Sequence, residues 1–183
     1  MNILILFASL EGQTAKISNR IAQLLAKKGH GVTSRTAEKL PDDFDLGAFE
    51  AVIIGGSIHM GHYPKYLLTF VKQHHDWLNS IPSAFFTVCM GINSQQAEAR
   101  QEAAGYSETF IAQTDWKPTH IATFAGAVKY TQYNFITRFI MKKISQKEGG
   151  STDTSKDHEY TNWEAVERFA DEFAKNLATL QYS

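Results

Sequence analysis

Two hydroxyl side chains and a glycine stand close together in residues 9–14, which are Ser9, Leu10, Glu11, Gly12, Gln13 and Thr14. An apolar run precedes them and a helical pattern follows. The first amides of a helix have no partner within it and lie at the positive end of its dipole, so they can hold a phosphate without lysine or arginine. Ser9 and Thr14 would complete such a site, and Glu11 must then point away, because its carboxylate would repel the phosphate. We interpret the segment as a phosphate loop; the alternative is a turn followed by an ordinary helix cap.

Other phosphate-binding motifs are missing from the sequence. No Gly-x-Gly-x-x-Gly follows the first apolar run, and no Gly-Lys-Ser or Gly-Lys-Thr occurs anywhere. The first apolar run ends in Phe7, Ala8 and Ser9, without the acidic pair that a phosphorylation receiver needs for magnesium. These observations exclude a classical dinucleotide site, a P-loop and a receiver domain.

Histidine and cysteine could supply a different chemistry. His59 and His62 are close enough in sequence to share a metal ion, but no carboxylate or thiolate accompanies them, so we expect no metal site. Cys89 is the single cysteine, which excludes an internal disulfide and a multi-thiolate cluster. It ends an apolar run with no base beside it, which favours a small buried side chain over a nucleophile.

Positive charge is concentrated in one part of a chain whose formal net charge is −1. Between Asp115 and Glu148 there is no acidic residue, so the rest of the chain carries −7; the six bases in this part are Lys117, Lys129, Arg138, Lys142, Lys143 and Lys147. This asymmetry predicts a basic patch that faces a partner rather than general affinity for nucleic acid.

Within this basic part, residues 133–144 have the pattern of an amphipathic helix. Arg138 and Lys142 would lie on one face, and the apolar face would consist of Phe135, Ile136, Phe139, Ile140 and Ile144. Such a helix can lie on an anionic membrane surface or dock on the protein's own ligand site. A third possibility is an extra helix that packs on the core with a solvated basic face. The pattern does not choose among them.

The hydrophobic pattern predicts five strands that alternate with helices and position these segments. The strands are predicted at 2–8, 32–36, 51–55, 84–90 and 120–128, and the helices around 17–25, 64–78, 94–110 and 161–180. Ser94 is the expected cap of the third helix, and Thr161 with Glu164 is a capping box for the last. The prediction is one α/β domain with an open parallel sheet of order 2-1-3-4-5 and helices on both faces.

This topology tells where a ligand should bind. Open parallel sheets bind ligands at the carboxyl ends of strands where the order reverses, which here means the loops after the first, third and fourth strands. The connection at about 129–160 is too long for a simple link, so we expect it to be functional. The apolar runs are too short to span a bilayer, and Met1 leads directly into one without a signal-type layout, so we expect a cytoplasmic protein.

The residues around the predicted phosphate loop resemble a known family. Residues 6–14 resemble the FMN phosphate-loop signature of flavodoxins; a departure is Ser18, where that signature usually has alanine. Residues 55–63 follow the third strand, where flavodoxin-like proteins place a loop against the isoalloxazine ring. Nearly the whole chain resembles the bacterial flavodoxin-like protoporphyrinogen oxidases, also called quinone-dependent protoporphyrinogen dehydrogenases; the further segments that carry this resemblance are 82–85, 125–127, 149–154 and 160–164. The long segment after the fifth strand is its most specific element, because ordinary flavodoxins lack it there.

The resemblance implies that the chain binds FMN. The contacts it implies are Ser9, Leu10, Glu11, Gly12, Gln13, Thr14, Ser57, Ile58, His59, Gly61, His62, Met90, Gly91, Ile92, Gly126 and Ala127. The glycines within 55–61 would allow the backbone to approach the flavin closely. The segment 90–93 has no aromatic side chain to stack on the ring, which would leave one ring face open to substrate.

The reaction implied by the resemblance oxidises protoporphyrinogen IX to protoporphyrin IX in heme biosynthesis, with menaquinone or ubiquinone as electron acceptor. Lys129 and Arg138 are the candidate partners for the propionates of the substrate, and no side chain is identifiable as a general acid or base. The basic segment and the hydrophobic quinone predict a peripheral protein on an anionic membrane surface, at the cytoplasmic face of the inner membrane.

Two other functions are compatible with the sequence. One is an FMN electron carrier that docks an acidic redox partner through the basic segment. The other is a nicotinamide-dependent quinone reductase of flavodoxin-like fold. Electron-carrier flavodoxins are typically acidic, so the basic patch argues against the first.

Overall fold

The computed structural model describes residues 1–41, 43–147 and 150–181. Five strands form one parallel sheet: β1 (Asn2–Ala8), β2 (Gly31–Thr36), β3 (Ala51–Ser57), β4 (Ser83–Val88) and β5 (His120–Phe124). Their order is β2-β1-β3-β4-β5, which confirms the predicted fold class. In this register Ile3 pairs with Val32 on one side and with Ala51 on the other.

Helices cover both faces of the sheet because the central strands are apolar on both sides. One face carries α1 (Gln13–Lys27) and α6 (Trp163–Gln181); the other carries α2 (Lys65–Gln73), α3 (His75–Ser80) and α4 (Ala97–Thr114). Successive residues of a strand point to opposite faces, so Ile3 and Ile5 join the first core cluster while Leu4 and Leu6 join the second. The sheet is therefore a buried scaffold that carries polar groups at its strand ends.

The helix predicted around 64–78 is in fact two helices. The backbone leaves the helical range at His74 (φ −118°, ψ 18°), where α2 ends and α3 begins. The His74 ring packs on Phe70, with ring centroids 4.6 Å apart. Leu78 still lies in the same core cluster as Leu67, so two short helices preserve the predicted apolar stripe.

The strand predicted at 120–128 is also divided. β5 ends at Phe124, and β6 (Ala127–Val128) pairs antiparallel with β7 (His158–Glu159) in a separate two-stranded sheet. The change of direction occurs at Gly126, where a Cβ atom would lie 3.1 Å from Val88 Cγ1. The Gly126 carbonyl accepts a hydrogen bond from the Tyr160 amide (3.0 Å) instead of continuing the parallel ladder. The chain therefore leaves the large sheet beside the end of β4.

The caps of two helices differ from the prediction. Thr161 does not cap α6, because its hydroxyl donates to the Ala125 carbonyl (2.7 Å). The cap is Asn162, whose Oδ1 accepts from the Ala165 amide (3.1 Å). Ser94 accepts from the Gln96 amide (3.1 Å) in the turn before α4, which begins only at Ala97.

The segment 129–160 begins after β6 and returns through β7. It contains a 3-10 turn (Tyr130–Gln132) and α5 (Phe135–Lys147). Phe135 and Phe139 are 84% and 54% exposed. The other members of the predicted apolar face, Ile136, Ile140 and Ile144, lie outside the described side chains, and Gly149 lies outside the described residues. Among the described residues, none of the helices has the length and hydrophobicity of a membrane span.

Candidate functional site

A cleft lies at the carboxyl ends of β1, β3 and β4, where the strand order reverses. The predicted residues that line it are Ser9, Leu10, Glu11, Gln13, Thr14, Ser57, Ile58, His59, Met90, Gly126 and Ala127. Val88 and Met141 line it too. Sequence reasoning missed both, because Val88 belongs to a buried strand and Met141 to a helix remote in sequence from the loops.

A second groove adjoins the cleft and runs towards α4. The two spaces share Ile58, His59, Met90 and Met141. The predicted residues Gly61 and Gly91 line the second groove, as do Met60, Cys89, Glu102 and Tyr106. Three predicted residues line neither space: Gly12, His62 and Ile92. The Tyr106 hydroxyl donates to Glu102 (2.6 Å), and burial together with that carboxylate raises the pKa of Tyr106 to about 12.

The predicted phosphate loop wraps around the start of α1. Gly12 stands at the N-cap with φ 86°, a left-handed conformation that glycine adopts without steric cost. Ser9 Oγ accepts hydrogen bonds from the amides of Gly12 (3.1 Å) and Ala15 (3.4 Å). Gln13 and Thr14 occupy the first helical positions, so their amides have no partner within α1. The loop therefore leaves the amides of Gln13 and Thr14 as donors at the start of α1.

Gln13 connects this loop to the segment before α6. Its side chain is 5% exposed, and Nε2 donates to Thr161 Oγ1 (2.8 Å). The orientation of the amide is fixed, because the Thr161 hydroxyl proton is directed at the Ala125 carbonyl. Gln13 Oε1 is then buried without a hydrogen-bond partner in the described part of the chain. A buried oxygen of this kind fits a ligand that brings a hydrogen-bond donor into the cleft.

Glu11 is held by a residue that sequence reasoning did not single out. Its Oε2 accepts a hydrogen bond from the Tyr133 hydroxyl (2.7 Å), across 122 positions of sequence. Burial and the hydrogen bond to Glu11 raise the pKa of Tyr133 well above its ordinary value. No local pattern connects the two positions, so only the folded chain reveals the pair.

A tight hairpin forms one wall of the cleft. The backbones of His59 and His62 exchange hydrogen bonds (2.9 and 3.1 Å) around Met60 and Gly61, whose φ angles of 50° and 81° are typical of a type I′ turn. This turn leaves Met60 87% exposed at the mouth of the second groove.

The sequence predicted that the glycines within 55–61 let the backbone approach a ligand closely. For the two glycines of β3 this prediction is wrong. A Cβ atom at Gly55 would lie 2.2 Å from Phe86 Cζ, and one at Gly56 would lie 2.8 Å from Tyr63 Cδ1 and Leu67 Cδ2. Protein side chains occupy that space. Tyr63 belongs to the core as well, because its ring packs on Phe85 and Phe110 and its hydroxyl is bonded to Thr87 Oγ1 (2.7 Å).

Cys89 and the histidines contribute no metal centre among the described residues. Cys89 is 9% exposed at the end of β4 and lines the second groove. In the described part of the chain, no group of three or more histidine, cysteine, aspartate or glutamate side chains could hold an ion.

Lys129 and Arg138, the predicted propionate partners, are engaged with other groups. Lys129 Nζ lies 3.8 Å from Asp157 Oδ2. Arg138 donates from Nε to the Tyr130 carbonyl (3.1 Å) and from Nη2 to the Tyr133 carbonyl (3.2 Å). Neither side chain is among those that line the cleft or the second groove. Direct contact with a propionate would require a rearrangement, so this assignment stays a prediction.

Comparison with known proteins shows to which class of proteins this chain belongs. Residues 4–155 match the family described as flavodoxin domain, and the chain belongs to that family. Solved flavodoxins share its fold: flavodoxin 1 of Bacillus cereus aligns with a TM-score of 0.54 over 96% of this chain and 98% of its own, at 15% identity. A Streptococcus pneumoniae flavodoxin aligns with a TM-score of 0.55 over 98% of this chain and 99% of its own, at 14% identity.

Within this class, the similar curated proteins carry one name, protoporphyrinogen IX dehydrogenase [quinone]. The Escherichia coli K12 protein is 36% identical over 174 residues, which is 95% of each chain. The Leishmania major protein is 35% identical over 172 residues, 93% of this chain and 74% of its own. The chain therefore belongs with the family of quinone-dependent protoporphyrinogen IX dehydrogenases, which are oxidoreductases.

Proposed function

We propose that this protein uses FMN to oxidise protoporphyrinogen IX to protoporphyrin IX in heme biosynthesis and passes the electrons to a respiratory quinone, menaquinone or ubiquinone. The observation that carries the proposal is the pair of helix-start amides, Gln13 and Thr14, beside Gln13 Oε1, which has no hydrogen-bond partner among the described residues. The relatives of this chain carry that enzymatic name. The cleft at the strand ends is the argument for the cofactor, and membership of the family is the argument for the substrate and the electron acceptor.

The residues present fit FMN. The amides of Gln13 and Thr14, with the hydroxyls of Ser9 and Thr14, would hold the phosphate at the positive end of α1. Gln13 Oε1 would accept a hydrogen bond from a hydroxyl of the ribityl chain. Around the ring, the chain offers mainly backbone and aliphatic contacts, from Ile58, Met90, Gly126 and Ala127. When bound, the flavin supplies the two-electron redox chemistry.

The protein itself positions the reactants and complements their charge. The amides of Ile58 and His59 donate to the carbonyls of Val88 and His62. The backbone amides at 60–61 and 91–92 are therefore our candidates to stabilise negative charge near the ring. Met141 of α5 lines both the cleft and the second groove, so α5 limits the access of water and orients a substrate that enters between them. Lys129 and Arg138 stay our candidates for the propionates, with the rearrangement that this requires.

The proposal is tested by identifying the chromophore that purified protein releases and then measuring its half-reactions without oxygen. We expect FMN, bleaching by protoporphyrinogen IX, and recovery of colour on adding a soluble quinone. A flavin that ignores porphyrinogen would instead identify an electron carrier, and rapid bleaching by NADH or NADPH alone would identify a nicotinamide-dependent quinone reductase. Folded protein that is colourless and takes up no FMN would contradict every flavin-based function.

We also propose that α5 contacts an anionic membrane surface, at the cytoplasmic face of the inner membrane. Of the described side chains of α5, Phe135 and Phe139 are apolar and exposed, and Lys142 and Lys143 are exposed on the same helix. Lys143 Nζ lies 4.7 Å from the Phe139 ring centre, so charge and apolar surface form one patch. Each well-placed cation contributes about 1 kcal/mol near an anionic surface.

The expected result is that the protein sediments with vesicles containing phosphatidylglycerol and less so as salt rises. The double variant F135S/F139S should lower the vesicle partition coefficient about tenfold, because two aromatic side chains no longer enter the interface. Leu180→Ser is the matched control, since Leu180 is 51% exposed on α6 and should leave the coefficient unchanged. Wild-type protein that stays wholly in the supernatant at low salt would contradict this proposal.

A further inference from the structure

We propose that Tyr133 is a positioning residue: its hydroxyl holds the Glu11 carboxylate away from the phosphate site and couples phosphate binding to the docking of segment 129–147 on the cleft. The inference rests on the proposed function in taking FMN as the natural phosphate ligand. It assigns to segment 129–147 a role in cofactor binding, in addition to any role towards substrate or membrane.

The direction of the hydrogen bond follows from its surroundings. The Lys129 amide donates to the Tyr133 oxygen (3.3 Å), and the hydroxyl proton is therefore available to Glu11 Oε2, 2.7 Å away. Glu11 lines the cleft immediately before Gly12, so its carboxylate is the negative charge closest in sequence to the amides that would hold a phosphate. The Tyr133 hydroxyl fixes that charge on the side of segment 129–147.

Tyr133 can transmit this contact because the turn that carries it is firmly held. Arg138 binds the carbonyls of Tyr130 and Tyr133. Asp157 Oδ1 accepts from the amide (3.0 Å) and the hydroxyl (2.8 Å) of Thr131. These bonds fix the turn before α5 to α5 itself and to Asp157. Met141, which also belongs to α5, lines the cleft. Displacement of Tyr133 therefore displaces the wall of the cleft.

Loss of the Tyr133 hydroxyl should act on phosphate more than on the rest of the ligand. Without its donor, Glu11 can turn towards the loop amides, where it competes with the phosphate and repels it. Riboflavin lacks the phosphate and is insensitive to this competition. The ratio of FMN affinity to riboflavin affinity therefore reports the role of Tyr133 separately from general damage to the cleft.

The test is a double-mutant cycle on the full-length apoprotein, with Tyr133→Phe, Glu11→Gln and the double variant. Flavin fluorescence titration should show that Tyr133→Phe weakens FMN binding about tenfold but riboflavin binding less than about twofold. In the Glu11→Gln background, Tyr133→Phe should have less than about a twofold effect on FMN. Tyr130→Phe is the matched control: it removes a hydroxyl of the same turn that donates to the Ser151 carbonyl (3.0 Å), and it should leave the FMN-to-riboflavin ratio unchanged.

Hydrogen exchange of α5 supplies a second readout. FMN should protect the α5 amides in wild type and in Tyr130→Phe, but not in Tyr133→Phe. An unchanged FMN-to-riboflavin ratio in Tyr133→Phe, or an equal loss in the Glu11→Gln background, would overturn the inference. If wild type binds neither flavin, the proposed function fails, and inorganic phosphate decides the inference: protection of α5 that requires Tyr133 supports it, and protection that is absent or independent of Tyr133 overturns it.

Discussion

Ser9→Asp should greatly weaken FMN binding and leave the protein folded. Ser9 Oγ lies where the amides of Gly12 and Ala15 converge, and an aspartate carboxylate there would accept the same two hydrogen bonds. An anion at a helix N-terminus is stabilising, so the free energy of unfolding should not fall. The same charge would oppose the phosphate by about 4 kcal/mol at a separation of about 4 Å in a partly screened site. We expect the FMN dissociation constant to rise about a hundredfold or more.

Fluorescence titration of the apoprotein measures this effect, and thermal unfolding measures the fold. Ser9→Asn is the matched control, because asparagine keeps a hydrogen-bond acceptor of the same shape without the charge. It should weaken FMN about tenfold at most, the scale of one altered neutral hydrogen bond. If Ser9→Asp and Ser9→Asn bind FMN equally well, the phosphate does not lie at this loop. Riboflavin affinity should change little in either variant.

The sequence was sufficient for the parts of this protein that depend on local pattern. β1 is an unbroken apolar run because both of its faces are covered, and that run alone predicts a central parallel strand. Gly12 precedes a helix and has a positive φ, which a phosphate loop between a strand and a helix can use. Alternation with helices and right-handed connections reduce the strand order to a few topologies, and 2-1-3-4-5 is the one that we predicted among them.

The sequence was insufficient where a side chain has a distant partner. Thr161 has the spacing of a capping box with Glu164, but its hydroxyl reaches Ala125, 36 positions earlier, and Asn162 caps the helix instead. Glu11 was expected to turn away from the phosphate, yet its partner Tyr133 could not be inferred. Segment 129–160 was recognised as unusual, but which of its bases are engaged by Asp157 or by carbonyl groups depends on a fold that no periodicity encodes.

The partner of Gly55 could not be inferred from the local sequence either, because it is Phe86 on the neighbouring strand. Gly55→Ala should lower the free energy of unfolding by about 3 kcal/mol, because the added methyl group has no space. It would lie 2.2 Å from Phe86 Cζ, 2.6 Å from Cε1 and 2.8 Å from Cε2. Phe86 cannot yield easily, since it is fully buried and its ring packs on Phe124 and Phe169, at centroid distances of 5.8 and 6.2 Å. The midpoint of thermal unfolding should fall by about 10 °C.

Urea unfolding with an unchanged m-value is the measurement for Gly55→Ala. Gly105→Ala is the matched control: the site lies within α4, nothing is within 4 Å of the new Cβ atom, and the variant should gain about 1 kcal/mol. At a temperature where Gly55→Ala is folded, its FMN affinity should stay within about twofold of wild type, because the glycine accommodates the Phe86 ring rather than the ligand. A Gly55→Ala variant that keeps full stability but loses FMN binding would contradict this prediction. It would mean that Gly55 makes room for the flavin and not for the Phe86 ring.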